Sequence, residues 1–271
     1  MRLVLKIGTS LVTREDHTLD TAFLRDMVRQ IAALVRQKHQ IIIVTSGAVA
    51  AGRSELSIGL EKKSIPFRQA LAAVGQGLLM KTYHDFFAKR GMTVAQALLT
   101  NYDFSNQENF INTKNVFDLL LQRGIVPIVN ENDVTATAEL KFGDNDMLSA
   151  KTAAMVGADY LIILTDVDGL FSDNPFKNPT AKLIPFVKKI DDKIRRLAKG
   201  ARSAHSTGGM TTKISAAEYI TSSGIPMFIV KGRKKGILNR VLDRIDGCGS
   251  CGTFFAAAQN RTGNRKQRRQ H

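Results

Sequence analysis

Residues 141–175 read KFGDNDMLSAKTAAMVGADYLIILTDVDGLFSDNP. From Met147 the apolar residues recur at helical spacing until Gly157, a residue free to take the positive φ that ends a helix. YLIIL follows, a short apolar run of the kind that becomes a strand buried on both faces. Helix, glycine and strand in that order are half of a crossover unit. The acids are concentrated at its two ends. Asp144, Asn145 and Asp146 stand before the helix and Thr165 and Asp166 after the strand, in a chain whose formal net charge is +15.

Outward from this unit the same alternation continues. On the N-terminal side come LVLKI, FLRDMVRQIAALVRQ, IIIVTSG, LAAVGQGLLMKTYHDFFAKR, MTVAQALL, NTKNVFDLLLQRG and IVPIVNEND; on the other side KISAAEYITSSG leads into PMFIVKG. Short strands alternating with longer helices predict an α/β fold, a three-layer αβα sandwich with a mostly parallel central sheet covered on both faces. Gly124, Gly157 and Gly224 are expected helix caps, and FDLLL and IAALV expected core stripes. There is no internal repeat, so residues 1–259 are expected to form one domain and the basic residues 260–271 a disordered tail.

With 271 residues, 44% of them hydrophobic, the chain buries a sizeable core and is not a disordered protein. Its 39 Lys and Arg against 24 Asp and Glu suit anionic ligands, nucleic acid or acidic membrane, and charge alone does not choose among them. No apolar run approaches the roughly 20 residues of a membrane span. Two cysteines and a start without signal-peptide character predict a cytoplasmic protein.

In open α/β sheets ligands lie beyond the carboxyl ends of the strands. Those positions hold Lys6 with Gly8, Thr9 and Ser10; Thr45, Ser46, Gly47 and Gly52; Asn130, Glu131, Asn132 and Asp133; Thr165 and Asp166; and the glycine-rich STGGMTTK, residues 206–213. Lysines and exposed amides surround anions, while acids hold metal and orient the lysines, which is what phosphoryl transfer requires. The P-loop pattern and the protein-kinase signatures are absent. No general base is needed if the acceptor is a carboxylate, ionised at neutral pH with a pKa of roughly 4.3.

KIGTS, IIIVTSGAVAAG, AAVGQG, PIVNEND, ATAELKFGDNDMLSAK, LTDVDGLFSDNP and STGGMTTK, in this order, resemble the glutamate 5-kinases of the amino acid kinase family over about residues 1 to 255. NEND with FGDND and GGMTTK separates that branch from acetylglutamate, aspartate and uridylate kinases. The resemblance implies transfer of the γ-phosphoryl of ATP, with Mg2+, to the side-chain carboxylate of L-glutamate, the first step of proline biosynthesis. It also implies feedback inhibition by proline, a homo-oligomer and coupling to glutamyl phosphate reductase. By the same resemblance Lys6 and Lys213 stabilise the transferring group and Asp146 orients both. Ser46, Asp133 and Asn145 hold glutamate. Lys6, Thr165, Asp166, Thr207, Gly208, Gly209, Met210, Thr211, Thr212 and Lys213 hold the nucleotide. Two departures from the family pattern are Ser206, where glycine is frequent, and the end of the sequence about where a PUA domain begins in many members.

Plainer readings stand beside these. Asp144 and Asp146, standing before MLSAKTAAM, read equally as ordinary helix N-caps, with Asp144 or Asn145 the cap if Asp146 serves the lysines. CGSC, with Cys248 and Cys251, lacks the further ligands of a closed zinc site and reads as two reduced, inert thiols. His17, His39 and His84 read as surface residues without partners. The tail RTGNRKQRRQH is a candidate for RNA or acidic lipid, without an aromatic for base stacking. The rival reading is a nucleotide- or RNA-binding regulatory module on a kinase fold, or another activity of the same family; retention of both lysines and Asp146 weighs against the first.

Overall fold

The computed structural model describes residues 1–56, 64–136, 145–175, 177–200 and 209–258. In chain order the first elements are β1 (Arg2–Ile7), α1 (Thr9–Val12), α2 (Thr21–Arg36), β2 (Gln40–Val44), α3 (Ala48–Glu55), α4 (Ile65–Ala88) and β3 (Val94–Leu99). They are followed by α5 (Asn101–Ser105), α6 (Gln107–Gln122), β4 (Val126–Glu131), α7 (Asn145–Met155) and β5 (Tyr160–Thr165). The last are β6 (Phe186–Val187), α8 (Asp192–Gly200), α9 (Met210–Ser222), β7 (Met227–Lys231), α10 (Ile237–Ile245) and β8 (Thr253–Phe255).

The eight strands form one sheet in the order β3-β4-β2-β1-β5-β7-β8-β6. The pairings from β3 to β7 are parallel, β7 and β8 are antiparallel, and β6 runs parallel to β8. The expected three-layer sandwich is therefore what the chain adopts. The missed strands are β6 and β8, which at two and three residues are too short to show a period.

Period-two alternation along the central strands divides the core. Leu3, Leu5 and Ile7 of β1 pack with α2, α4 and α10, whereas Val4 faces the layer of α6, α7 and α9. Lys6 shares the parity of Val4, so its ammonium is delivered to the α7 and α9 side. The connection from β4 through α7 to β5 passes over β2 and β1, which brings the first residues of α7 above the carboxyl ends of both strands.

Gly124, Gly157 and Gly224 have φ of 69°, 59° and 79°, as a helix-ending glycine requires. The stripe IAALV holds, with Ile31, Ala32 and Leu34 buried. FDLLL is only half a core stripe: Phe117 and Leu121 are buried, but Leu119 is 55% exposed because a helix packed on one face turns every third or fourth residue inward. The tail beginning at residue 260 lies outside the described residues.

Candidate active site

Three charged side chains from distant parts of the sequence meet at the carboxyl end of β1. Lys6 Nζ lies 2.7 Å from Asp146 Oδ1, and Lys213 Nζ lies 3.2 Å from Asp146 Oδ2. The Thr212 hydroxyl donates to the same Oδ2 at 2.8 Å. All three ionic groups are buried, with relative exposures of 3% for Lys6, 0% for Asp146 and 5% for Lys213. Each is placed by a regular element: Lys6 by strand parity, Asp146 by the first turn of α7, and Thr212 and Lys213 by the first turn of α9. The amino-terminal end of α7 also favours the negative charge of Asp146. Two ammonium groups on one carboxylate leave a local charge of +1 shut away from water, an arrangement suited to an anion that brings its own negative charge.

A second cluster sits one strand over. The Asn145 side-chain amide donates to the Thr45 carbonyl, to Ser46 Oγ at 3.0 Å and to Asn130 Oδ1 at 2.8 Å. Asn130 donates in turn to Gln76 Oε1 at 2.8 Å and accepts from the Glu131 N–H at 2.9 Å. The Thr45 hydroxyl bonds Tyr83 at 3.0 Å, deep in the core, where burial pushes the phenol well above its ordinary pKa. This network ties the ends of β2 and β4 to α4 and α7. It forms one side of a cavity of about 290 Å³ lined by Ser46, Asn130, Asn145, Glu131 and Asp133. That volume is at the lower end of small-molecule sites, roughly 300–1,000 Å³, and suits an amino acid rather than a nucleotide.

Another wall is α3. Gly47, its N-cap, has φ 103°, a conformation that a side chain rarely adopts, and a Cβ there would also meet Val12 at 3.1 Å. Ala48, Val49 and Ala50 of the first turn line the cavity. Gly52 serves a different purpose from the anion-binding turn expected of it. A Cβ on Gly52 would come within 1.9 Å of the Leu71 carbonyl oxygen, and one on Gly75 within 1.8 Å of the Ala48 carbonyl oxygen, so the pair lets α3 and α4 cross in contact.

On the far side of β1 from β2, β5 ends in Thr165 and Asp166, whose side chains share a hydrogen bond of 3.0 Å. Thr165 pairs with Lys231 of β7 and its carbonyl accepts from the Gly232 N–H at 2.8 Å. Gly209 precedes α9 as its N-cap, Met210 is buried, and the Thr211 hydroxyl donates to the Ala198 carbonyl at 3.3 Å. Thr207, Gly208, Ser206 and Asp144 lie outside the described residues. Lys6 thus stands between a small cavity on the β2 side and the β5 edge on the other.

Sequence reasoning overlooked part of the cavity. His17, Arg53 and Arg68 line it as well. His17, read from the sequence as a surface residue without partners, is half-buried and sits in a turn closed by a bridge between Thr13 and Leu19. His39 and His84 do have neighbours, at 3.4 Å from the N-terminal amine and 3.5 Å from Asp85. For Arg53 a signal existed: AVAAGR as a helix places residues 49, 50 and 53 on one face. Cys248 is exposed and Cys251 buried, both free, and burial raises the Cys251 thiol. Among the described residues no helix is long and apolar enough to cross a membrane.

A parallel sheet whose central strand ends in a lysine–aspartate–lysine cluster defines a kinase of the amino acid kinase class. The model of the amino acid kinase family matches residues 1–231, and the chain belongs to that family. Within it the chain is similar to glutamate 5-kinases. The one from Clostridium acetobutylicum is 46% identical over 89% of this chain and 91% of its own length. Those from Caldanaerobacter subterraneus subsp. tengcongensis and Moorella thermoacetica are 43% and 44% identical over 98% of this chain, and 70% and 69% of their own lengths. Solved structures that share the fold include a T. acidophilum isopentenyl phosphate kinase product complex, 18% identical with a TM-score of 0.65, covering 94% of this chain and 100% of the other. A carbamate kinase from Giardia lamblia bound to AMP-PNP has the same TM-score and identity, with 94% and 98% covered.

Proposed function

We propose that the protein is a glutamate 5-kinase, transferring the γ-phosphoryl group of ATP to the side-chain carboxylate of L-glutamate. The observation that carries this reading is the buried Lys6–Asp146–Lys213 cluster between a cavity of amino-acid size and the β5 edge. An oxygen of the glutamate side chain attacks the γ-phosphorus, the bond from phosphorus to the β–γ bridging oxygen breaks, and ADP leaves with that electron pair. The attacking carboxylate is already ionised, so no proton has to be removed. Lys6 and Lys213 place positive charge where the equatorial phosphoryl oxygens gather negative charge, and Asp146 fixes the two ammonium groups in advance. Ser46, Asn145 and Asp133 hold glutamate. Thr165, Asp166 and the segment from Thr207 to Lys213 hold the nucleotide.

Magnesium would be brought to the site by ATP. It neutralises phosphate charge when bound. The acyl phosphate product is reactive towards water, which favours prompt consumption by a reductase; feedback by the proline made downstream, a homo-oligomer and a cytoplasmic location belong to the same proposal.

An acceptor panel with ATP and Mg2+ tests the reading: glutamate, aspartate, N-acetylglutamate and UMP, with hydroxylamine to trap acyl phosphate as hydroxamate. Hydroxamate from glutamate alone is expected. Nucleotide binding without turnover of any acceptor would overturn the proposal in favour of a regulatory module.

A further inference from the structure

The cavity holds a cation that none of the residues assigned to glutamate or ATP accounts for. Arg53 lies in the last turn of α3, with Val49 and Ala50 one turn before it on the same wall. Arg53 shares this helix face with Val49 and Ala50, so its side chain lies along the cavity wall. Among the described residues its Nη1 is closed off from solvent without a hydrogen-bond partner, while the residue as a whole is half-buried. A buried charged donor left without an acceptor is costly, and a ligand that supplies one removes the cost.

We infer that Arg53 is the specificity-determining residue for the α-carboxylate of the amino acid acceptor. This rests on the reading of the cavity as the glutamate site. Glutamate carries two carboxylates, and the one that reacts must lie against Lys6 and Lys213. From Ala48 to Arg53 α3 advances by about 7.5 Å, so the cavity has a reactive end beside Ser46 and Asn145 and a cationic end beside Arg53. The planar guanidinium offers paired donors to the α-carboxylate there. Arg68 also lines the cavity but is exposed, where water screens its charge, and is a lesser contributor. Glu131 and Asp133 on the β4 side supply the opposite charge for the α-ammonium group. A cavity with cation and anions so divided recognises a free α-amino acid.

The test compares wild type, R53M and R53K on L-glutamate and on L-isoglutamine, which keeps the side-chain carboxylate and the amine but replaces the α-carboxylate with an amide. Hydroxamate formation gives kcat/KM for each acceptor, and circular dichroism melts check the fold. Wild type should prefer glutamate by about a hundredfold, since a site built around a charged hydrogen bond rejects the analogue lacking it. In R53M kcat/KM for glutamate should fall roughly 30- to 100-fold, mostly in KM, with a far smaller fall for isoglutamine, so the preference collapses. R53K, which keeps the charge without the fork, should lose about tenfold on glutamate and serves if R53M fails to fold. Parallel losses on both acceptors, or unchanged glutamate kinetics, overturn the inference while the kinase reading stands. Wild-type inactivity on both acceptors overturns the kinase reading and the inference with it.

Discussion

Asp146 receives two lysines and a threonine on two oxygens and stands in the first turn of α7, so its place at the helix start and its hold on the lysines coincide in one residue. Replacing Asp146 with Asn separates them. Asparagine caps a helix as well as aspartate does, but it leaves two buried ammonium groups without a counter-charge. Turnover should fall about a hundredfold and stability by about 3 kcal/mol, measured by initial rates and by denaturant titration. Near-wild-type values for both would reduce Asp146 to a cap. Lys6→Ala and Lys213→Ala should each lower kcat by about a hundredfold or more with a smaller change in KM, because the charge they supply is needed most in the transition state. Asp20 offers a pH-dependent case. Burial alone would raise its carboxyl, but the Phe23 N–H at 3.0 Å and the Arg233 guanidinium at 2.8 Å outweigh burial and hold it below the ordinary carboxylate range. A depressed pKa contributes stability above the unfolded value, about 3.9, which is lost as pH falls through the folded value. Asp20→Ala should therefore cost about 1 kcal/mol or more near neutrality, with the gap to wild type narrowing below about pH 4 in urea melts. The lysines and Asp146 could be picked out in the sequence because each follows a strand or opens a helix. The ion pairs between them could not, since residues 6, 146 and 213 are joined only through the sheet.

At the scale of elements, the crossing of α3 over α4 is the least tolerant feature of the acceptor wall. Alanine in a helix interior is ordinarily better than glycine by about 1 kcal/mol. At Gly52 and Gly75 the sign should reverse, because the new methyl group would meet carbonyl oxygens at 1.9 Å and 1.8 Å and backbone cannot yield as a side-chain end can. Gly75→Ala should lower the melting temperature by several degrees. It should raise KM for glutamate more than KM for ATP, as the displaced α3 carries the acceptor wall and not the β5 edge. Equal effects on both substrates would show that the wall does not move alone. Gly52 and Gly75 are plain letters in the sequence, and their spacing within apparent helices announces a cost without the reason for it. The reason appears only when two helices share the space.

For the whole molecule, the net charge of +15 should draw polyanionic ATP towards the sheet edge. Second-order rates for ATP should fall as salt shortens the Debye length to below about 10 Å, while kcat at saturation changes little. Deleting residues 262–271 removes four of those cations; turnover at high salt should be unaffected and the salt dependence of kcat/KM shallower. Loss of turnover that persists at high salt would instead assign those residues a part in the site. Periodicity sufficed for the layered architecture, because a strand buried on both faces has to be apolar throughout and a crossover helix has to repeat its apolar positions every three to four residues. It also identified which loops gather at the carboxyl edge of the sheet, since parallel strands point the same way. The order of the strands was beyond its reach: that β1 lies between β2 and β5 follows from how the crossovers pack, and only this order brings Lys6 to Asp146. The place of His17 at the cavity and the glycine crossing were hidden for the same reason. Local spacing dictates which face a residue takes on its own element, but what that face meets is decided by contacts between elements far apart in the chain.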